Sequence, residues 1–508
     1  MTTPTRIFAT DRRLRLGIWG LGRGMSFYRA CHDLHFDIVA GCDYNEHMRT
    51  KFHAQFPDAL VTANAEEFLN GDFDAVLLAT FCPAHADDAI RCLEAGKHVV
   101  SEVTAFHTLA EGVRLVEAVE RTGLVYNLAE NYPFTKNNLY LAELWRQGLF
   151  GELMYAEYEY VHECRRLVYT YIDGVPVQPG HTVHNWRSWL NFHYYNTHSL
   201  GPVMHITGRR PTRVVALPGD QRLAGYLMPA IDGMGGVTPS LLTLDNGALM
   251  RNLMGASTND SHSQRLWGTR GAAEISGQLH LRLGASGHSP RLPVNAQWPA
   301  LGELAEKMGH GGGDFWILYY FARQILTGEP AFFDVYRAAD VTIPGLLAWR
   351  SSTEGGQPYD VPDFRRPEAR EQCRHDHHAQ PRYDTLHGCF PADADPALTA
   401  QFTTTMAQLI DHATLLRAVY DWLPLAAHTP EASAITVLVD AVLEQQPAIG
   451  ETLRAAQHLA AAYPGSDAAR VLHEMLALAE PERALAPTFT ADLQRARATL
   501  PPPPPKKP

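Results

Sequence analysis

Several titratable side chains in this sequence close apolar runs or sit in aromatic clusters, where proton transfer is possible. Glu102 follows "KHVVS" and Glu130 follows "LVYNLA". A carboxylate at the carboxyl end of a parallel strand stands where ligands bind in open α/β sheets. Each has a plainer reading: a surface turn acid for Glu102, a helix cap for Glu130. Tyr160 and His162 in "YEYVHE" lie two apart, so a strand puts both on one face. A phenol beside an imidazole can remove or return a proton, given a cation such as Arg165 to lower the phenol's pKa. An aromatic face packed on a helix is the other reading. "YYNTHSLGP" places Tyr195 and His198 at the mouth of a helix. Imidazole titrates near neutrality, which suits acid–base work, and a buried structural histidine is the alternative. His310 in "GHGGGDF" precedes a triple glycine and reads as a substrate contact.

A second constellation is built for phosphate. "GIWGLGRGM" follows a strand pattern and opens a helix near Met25. Gly20 permits the tight turn and Gly22 lets the backbone approach a pyrophosphate. Gly24 comes one residue early, and Met25 stands where Gly or Ala is usual. Asp43 ends the next strand, 23 residues after Gly20, where a carboxylate binds both ribose hydroxyls and repels a 2′-phosphate. The expected cofactor is NAD, held by Gly20, Gly22, Arg23, Gly24 and Asp43. "HNWRSW", with Trp186 and Arg187, offers aromatic faces to a sugar ring or anchors its own loop. Arg374 to His378 is read as a solvated loop, and no functional metal is expected.

These residues need elements to position them. Up to about residue 130 short apolar runs alternate with amphipathic segments, which signals a parallel sheet covered on both faces. From Gly151 the runs lengthen and alternate, and "LTLDNGALM" carries an Asn-Gly hairpin signal. The expected fold is therefore α/β. A doubly wound Rossmann sheet (1–133) precedes an α+β domain with an open-faced mixed sheet (134–367), a polar linker (368–394), a C-terminal helical appendage (395–500) and a disordered Pro-rich tail (501–508). With 508 residues, 45% hydrophobic and 19% charged, the chain can bury several cores. A net charge of −12 without a long basic run argues against nucleic acid as a partner. No run of 18 apolar residues argues against a membrane partner. Seven cysteines without a C-x-x-C pair suit a reducing compartment, and Arg12-Arg13 lacks an apolar stretch of its own, so the expected location is cytoplasmic.

The sequence resembles the Gfo/Idh/MocA oxidoreductases. The resemblance rests on "GLGRG", Asp43, "DAVLLAT" with His85 five residues after Thr80, and "EAGKHVVSE". The later segments "SEV", "LAENYPF", "RQGLFGE", "YEYVHECRR", "YYNTHSLGP", "HGGGDF" and "YDVPDF" are similar to the NAD-dependent glycosidase branch, glycoside hydrolase family 109. It spans residues 13 to 366. Where most of the family reads Glu-Lys-Pro, this chain reads Glu102-Val103-Thr104, and Glu-Val marks the glycosidase branch. The resemblance implies Thr80, His85, Glu102 and Glu130 as cofactor contacts, and Tyr195 and His310 as substrate contacts. Tyr160 with His162 is the implied acid–base pair, and His198 the implied acceptor of a hydroxyl proton. It implies transient oxidation at the sugar C3, loss of the C2 proton, elimination of the aglycone, water addition and re-reduction. A sugar dehydrogenase or 3-ketosugar reductase is the alternative, and a non-catalytic NAD-binding regulator a remoter one. The open sheet face implies a homo-oligomer.

Overall fold

A computed structural model describes residues 7–169, 171–172, 175–176, 186–227, 235–284, 288–381, 389–391, 393–430 and 432–503. Six short strands form the first sheet: β1 (Leu14–Trp19), β2 (Phe36–Cys42), β3 (Leu60–Thr62), β4 (Ala75–Leu78), β5 (His98–Ser101) and β6 (Tyr126–Leu128). Their order is β3-β2-β1-β4-β5-β6, every pair parallel. β4 is buried throughout, as an apolar strand covered on both faces must be. The order reverses at β1, so the tips of β1 and β4 open the crevice in which such sheets hold ligands. The helix Leu109–Thr122 is set by a Thr108/Glu111 capping box and a left-handed Gly123. The helix expected near Met25 is shorter than its pattern suggests: a 3-10 turn, Gly24–Phe27, leads into one α turn, Tyr28–Cys31.

The next strand, β7 (Leu153–Val161), enters a second sheet; β8 (Tyr171–Ile172) and β9 (Val175–Pro176) pair only with each other. Eight later strands complete the second sheet: β10 (Pro211–Ala216), β11 (Val237–Leu244), β12 (Leu249–Gly255), β13 (Gln264–Gly268), β14 (Gly271–Ser276), β15 (Gln278–Leu283), β16 (Leu292–Val294) and β17 (Tyr359–Asp360). The order is β16-β15-β14-β13-β7-β12-β11-β10-β17, with β7 and β12 parallel and the other pairs antiparallel. The sheet is mixed, and the Asn246-Gly247 signal does turn β11 into β12, with Gly247 at φ +83°. Along β7, Ala156, Tyr158 and Tyr160 face the core. The opposite face carries Glu157 and Glu159 paired with Arg251, among exposed Met154, Leu241 and Leu249.

The chain divides into two compact units. The first comprises residues 1–163, 190–221 and 229–381 and holds both sheets. The second gathers 164–189, 222–228 and 382–508 around the helices Pro396–Trp422, Ala432–Ala462, Asp467–Ala479 and Phe489–Ala498. The segments "ASAITVLVDAVLEQQ" and "GETLRAAQHLAAAY" read as two helices in sequence but form one, running through Pro447. Within this unit Arg222 grips Glu474 at 2.7 and 2.9 Å, and the Tyr169 hydroxyl donates to the Gly225 carbonyl at 2.6 Å. No helix among the described residues is long and apolar enough to cross a membrane.

Candidate active site

The glycine turn after β1 has the geometry a dinucleotide needs. Gly20 adopts φ +93°, and a Cβ there would lie 2.1 Å from the Ala79 carbonyl oxygen. Only glycine fits both conditions. A Cβ on Gly22 would meet nothing within 4 Å, so this residue faces open space, as backbone approached by a pyrophosphate should. A Cβ on Gly24 would lie 2.5 Å from Ile18 Cγ2. Although one position early, Gly24 thus does the packing work of the third fingerprint glycine. At the tip of β2, Asp43 accepts from the Leu21 and Asn45 amides at 2.8 Å each. Burial pushes its carboxyl above the ordinary value, and those amides oppose the shift. These residues fit a dinucleotide with a free ribose.

The strand tips beside the turn are braced. Thr80 donates to Asp88 at 2.7 Å. His85 is buried, with Nδ1 3.0 Å from the Thr104 carbonyl and Nε2 3.2 Å from that of Thr80. Burial lowers its pKa, and a neutral ring has one N–H, so it holds one carbonyl at a time. His85 therefore positions the tips of β4 and β5. Glu102 accepts from its own neighbour, the Val103 amide, at 3.2 Å and from Arg23 Nε at 2.8 Å. The Arg23 guanidinium also reaches Asp314 in bidentate fashion, at 2.8 and 2.9 Å. Burial pulls Arg23 down, but Glu102 and Asp314 outweigh it and hold the group above its ordinary value. Arg23 also interacts electrostatically with Tyr195, which links the turn to the next cluster.

That cluster is centred on Glu130 and His198. Glu130 is fully buried, and its carboxylate accepts from His198 Nδ1 at 2.8 and 2.9 Å and from the Tyr132 amide at 3.2 Å. The helix Thr197–Thr207 makes room because residue 201 is glycine: a Cβ there would come within 3.0 Å of Glu130 Cγ. The carboxylate fixes the proton on Nδ1 and leaves Nε2 to accept one from a bound hydroxyl. Around this pair stand Tyr195, 4.6 Å from the His198 ring, Tyr132 at 4.7 Å and Tyr160 at 4.8 Å between centroids. Burial pushes the Tyr132 phenol up, so it stays protonated.

β7 ends at Val161, so His162 lies one residue beyond the strand that was expected to carry it. Its ring still stands 5.9 Å from Tyr160. His162 Nδ1 donates to Asp260 at 2.7 Å, making a second acid–imidazole pair, more exposed than the first. His262, in the loop before β13, completes the group: its ring lies 5.5 Å from Tyr160 and 5.3 Å from Tyr132. Burial lowers the His262 pKa, with Asp260 opposing and His162 and His198 adding to it. His310 stands at φ +52°, with Nδ1 3.0 Å from Asp314 and its ring 6.5 Å from Tyr132.

The first unit thus brings together Tyr160, His162, Tyr195, His198, Glu130 and His310. Trp186 and Arg187 fall in the second unit, on a 3-10 turn where the guanidinium stacks 4.3 Å over the indole. His184 and Asn185 of the same motif lie outside the described residues. Asp376 of the His-rich segment is gripped by Arg350. Sequence reasoning missed Tyr132, Asp260, His262 and Asp314. The spacing Asp260-Ser261-His262 in a polar loop was the available signal for two of them.

Residues 14–130 match the oxidoreductase family with an NAD-binding Rossmann fold, and residues 295–370 match the C-terminal domain of glycosyl hydrolase 109. A glycosyl hydrolase family 109 protein of Saccharopolyspora erythraea is 29% identical over 405 residues, covering 71% of this chain and 85% of that protein. An α-N-acetylgalactosaminidase of Tannerella forsythia is 28% identical over 380 residues, covering 65% and 81%. Among solved structures, an NAD-binding oxidoreductase from Klebsiella pneumoniae has a TM-score of 0.58 at 16% identity, covering 69% of this chain and 99% of that one. A levoglucosan dehydrogenase in complex with NADH and levoglucosan has 0.56 at 17%, covering 69% and 100%. At those identities the structures share the fold.

Proposed function

We propose that this chain, which joins a Gfo/Idh/MocA NAD-binding domain to a glycosyl hydrolase 109 C-terminal domain, is an enzyme that cleaves a glycoside with no net redox change. The observation that carries this reading is the Tyr160 phenol in contact with the imidazole that Glu130 holds. Two proton-handling groups side by side suit a reaction that must first free a hydroxyl proton and then remove a carbon-bound one.

Gly20, Gly22 and Asp43 would hold NAD, which supplies a reversible hydride acceptor for the sugar C3. His198 Nε2 takes the C3 hydroxyl proton, and the Glu130 carboxylate stabilises the imidazolium that results. The C3 ketone acidifies the C2 hydrogen, and Tyr160 removes it. The C2 electron pair closes a C1–C2 double bond as the C1–O bond to the aglycone breaks. Water adds at C1, the proton returns to C2, and C3 is reduced again. His162 with Asp260, and His262, take and return the Tyr160 proton. Val103 fits this division of labour: no lysine stands beside Glu102, and proton transfer falls to the tyrosine and histidines.

The step that separates cleavage from simple dehydrogenation is proton loss at C2. In heavy water the enzyme should place deuterium at C2 of the released sugar. Tyr160→Phe should stop that exchange while C3 oxidation still occurs in a single turnover. Product carrying only hydrogen at C2 would rule the elimination out and leave a sugar dehydrogenase or 3-ketosugar reductase.

A further inference from the structure

Asp314 touches none of the reacting groups, yet it joins the two halves of the site. It is 1% exposed and sits in the first turn of the helix Gly313–Thr327. Its carboxylate accepts both terminal nitrogens of Arg23, His310 Nδ1 at 3.0 Å and Asn131 Nδ2 at 3.3 Å. The backbone before it is shaped for this one placement. His310, Gly311 and Gly312 all have positive φ. A Cβ on Gly309 would sit 2.7 Å from Asp314 Oδ2, and one on Gly313 would sit 2.4 Å from the Asn131 carbonyl oxygen. Arg23 in turn belongs to the glycine turn, and its Nε is held by Glu102. A continuous chain of charge-assisted bonds therefore runs Glu102, Arg23, Asp314, His310.

We infer that Asp314 is a positioning residue that locks the dinucleotide turn, holding Arg23 across Glu102 so that bound NAD is retained through turnover. This rests on the reading of the turn as the NAD site. A guanidinium with bidentate and end-on carboxylate partners, which also donates to the Ser26 hydroxyl, cannot rotate without breaking four bonds, three of them to carboxylates. Freed of Asp314, Arg23 keeps one carboxylate and a third of its side chain already faces solvent, 31% by exposure. The turn backbone that carries it would then be free to open. Retention matters for a reaction that returns its hydride, because cofactor lost after C3 oxidation strands the ketone.

Asp314→Asn is isosteric and removes the charge; Asp314→Ser makes the same test with a smaller side chain should the first fail to fold. NAD carried through gel filtration is measured per chain, and NADH release is followed by loss of its fluorescence. Both variants should melt as folded proteins yet release NADH about tenfold faster or more, the scale of a lost charge-assisted bidentate bond. In an Arg23→Gln background, Asp314→Asn should add nothing further, since its partner is already gone. Variants that fold and release NADH within about twofold of the unaltered protein would overturn the lock, as would effects that multiply in the double variant. If the unaltered protein carries and binds no NAD, the reading of the turn falls, and the lock with it.

Discussion

At the scale of residues, the site is built on a buried carboxylate that has one neutral and one charged way to be satisfied. Glu130 is fully buried and its chief partner is an imidazole, so it can stabilise His198 as a cation during proton transfer. Replacing it by glutamine keeps the shape and one hydrogen bond but removes the charge. Glu130→Gln should lower kcat by about a hundredfold, within the range of acid–base contributions, and leave KM within a few-fold. Steady-state kinetics on a nitrophenyl glycoside would show it; a change confined to KM would make Glu130 a substrate contact instead. Glu130, Tyr160, Tyr195 and His198 were legible in the sequence because each closes a strand pattern or opens a helix. Tyr132, Asp260, His262 and Asp314 were not: Tyr132 opens a 3-10 turn, Asp314 sits in the first turn of a helix, Asp260 and His262 lie in a loop, and what brings them together is packing between distant segments.

At the scale of elements, the glycine turn offers a contrast within three residues. Gly20→Ala would set a Cβ 2.1 Å from a carbonyl oxygen at φ +93°, so it should cost at least about 2 kcal/mol of stability. Gly22→Ala meets open space and should change stability by less than about 0.5 kcal/mol, yet weaken NAD binding, since the new methyl group occupies the space backbone leaves for the pyrophosphate. Thermal melts of the NAD-free proteins, paired with NADH titrations, would separate the two; equal losses of stability would contradict the geometry. Five strands of the first sheet could be read because their apolar runs are continuous; β3 (Leu60–Thr62), three residues long and only partly buried, offers no such run. The end of β7 could not, since alternation runs on into His162 and its amide still donates to the Gly255 carbonyl at 2.9 Å, although the strand itself ends at Val161. Pro447 marks the reverse case, a residue that argues for a break inside a helix that packing keeps whole.

At the scale of the whole molecule, the second unit draws together segments far apart in sequence, 164–189 and 222–228 with the C-terminal helices. No local pattern announces such a grouping, and a contiguous helical appendage was the natural reading. The first unit carries a pH liability of its own. His193 is 1% exposed, and neither ring nitrogen has a hydrogen-bond partner among the described residues. Burial lowers its pKa from 6.5 to about 3. The unfolded chain therefore binds a proton that the folded one refuses, and stability falls as pH drops below 6.5 toward 3, by up to about 1.4 kcal/mol per pH unit. His193→Phe should flatten the fall in melting temperature between about pH 7.5 and about pH 5; an unchanged slope would place the liability elsewhere. The central claim, that the hydride taken from the sugar comes back, is tested most directly by counting products. The enzyme is incubated with nitrophenyl glycosides while aglycone and NADH absorbance are followed together. Aglycone released over many turnovers with no net NADH is the predicted result. NADH accumulating in proportion to substrate consumed, without aglycone, would contradict it.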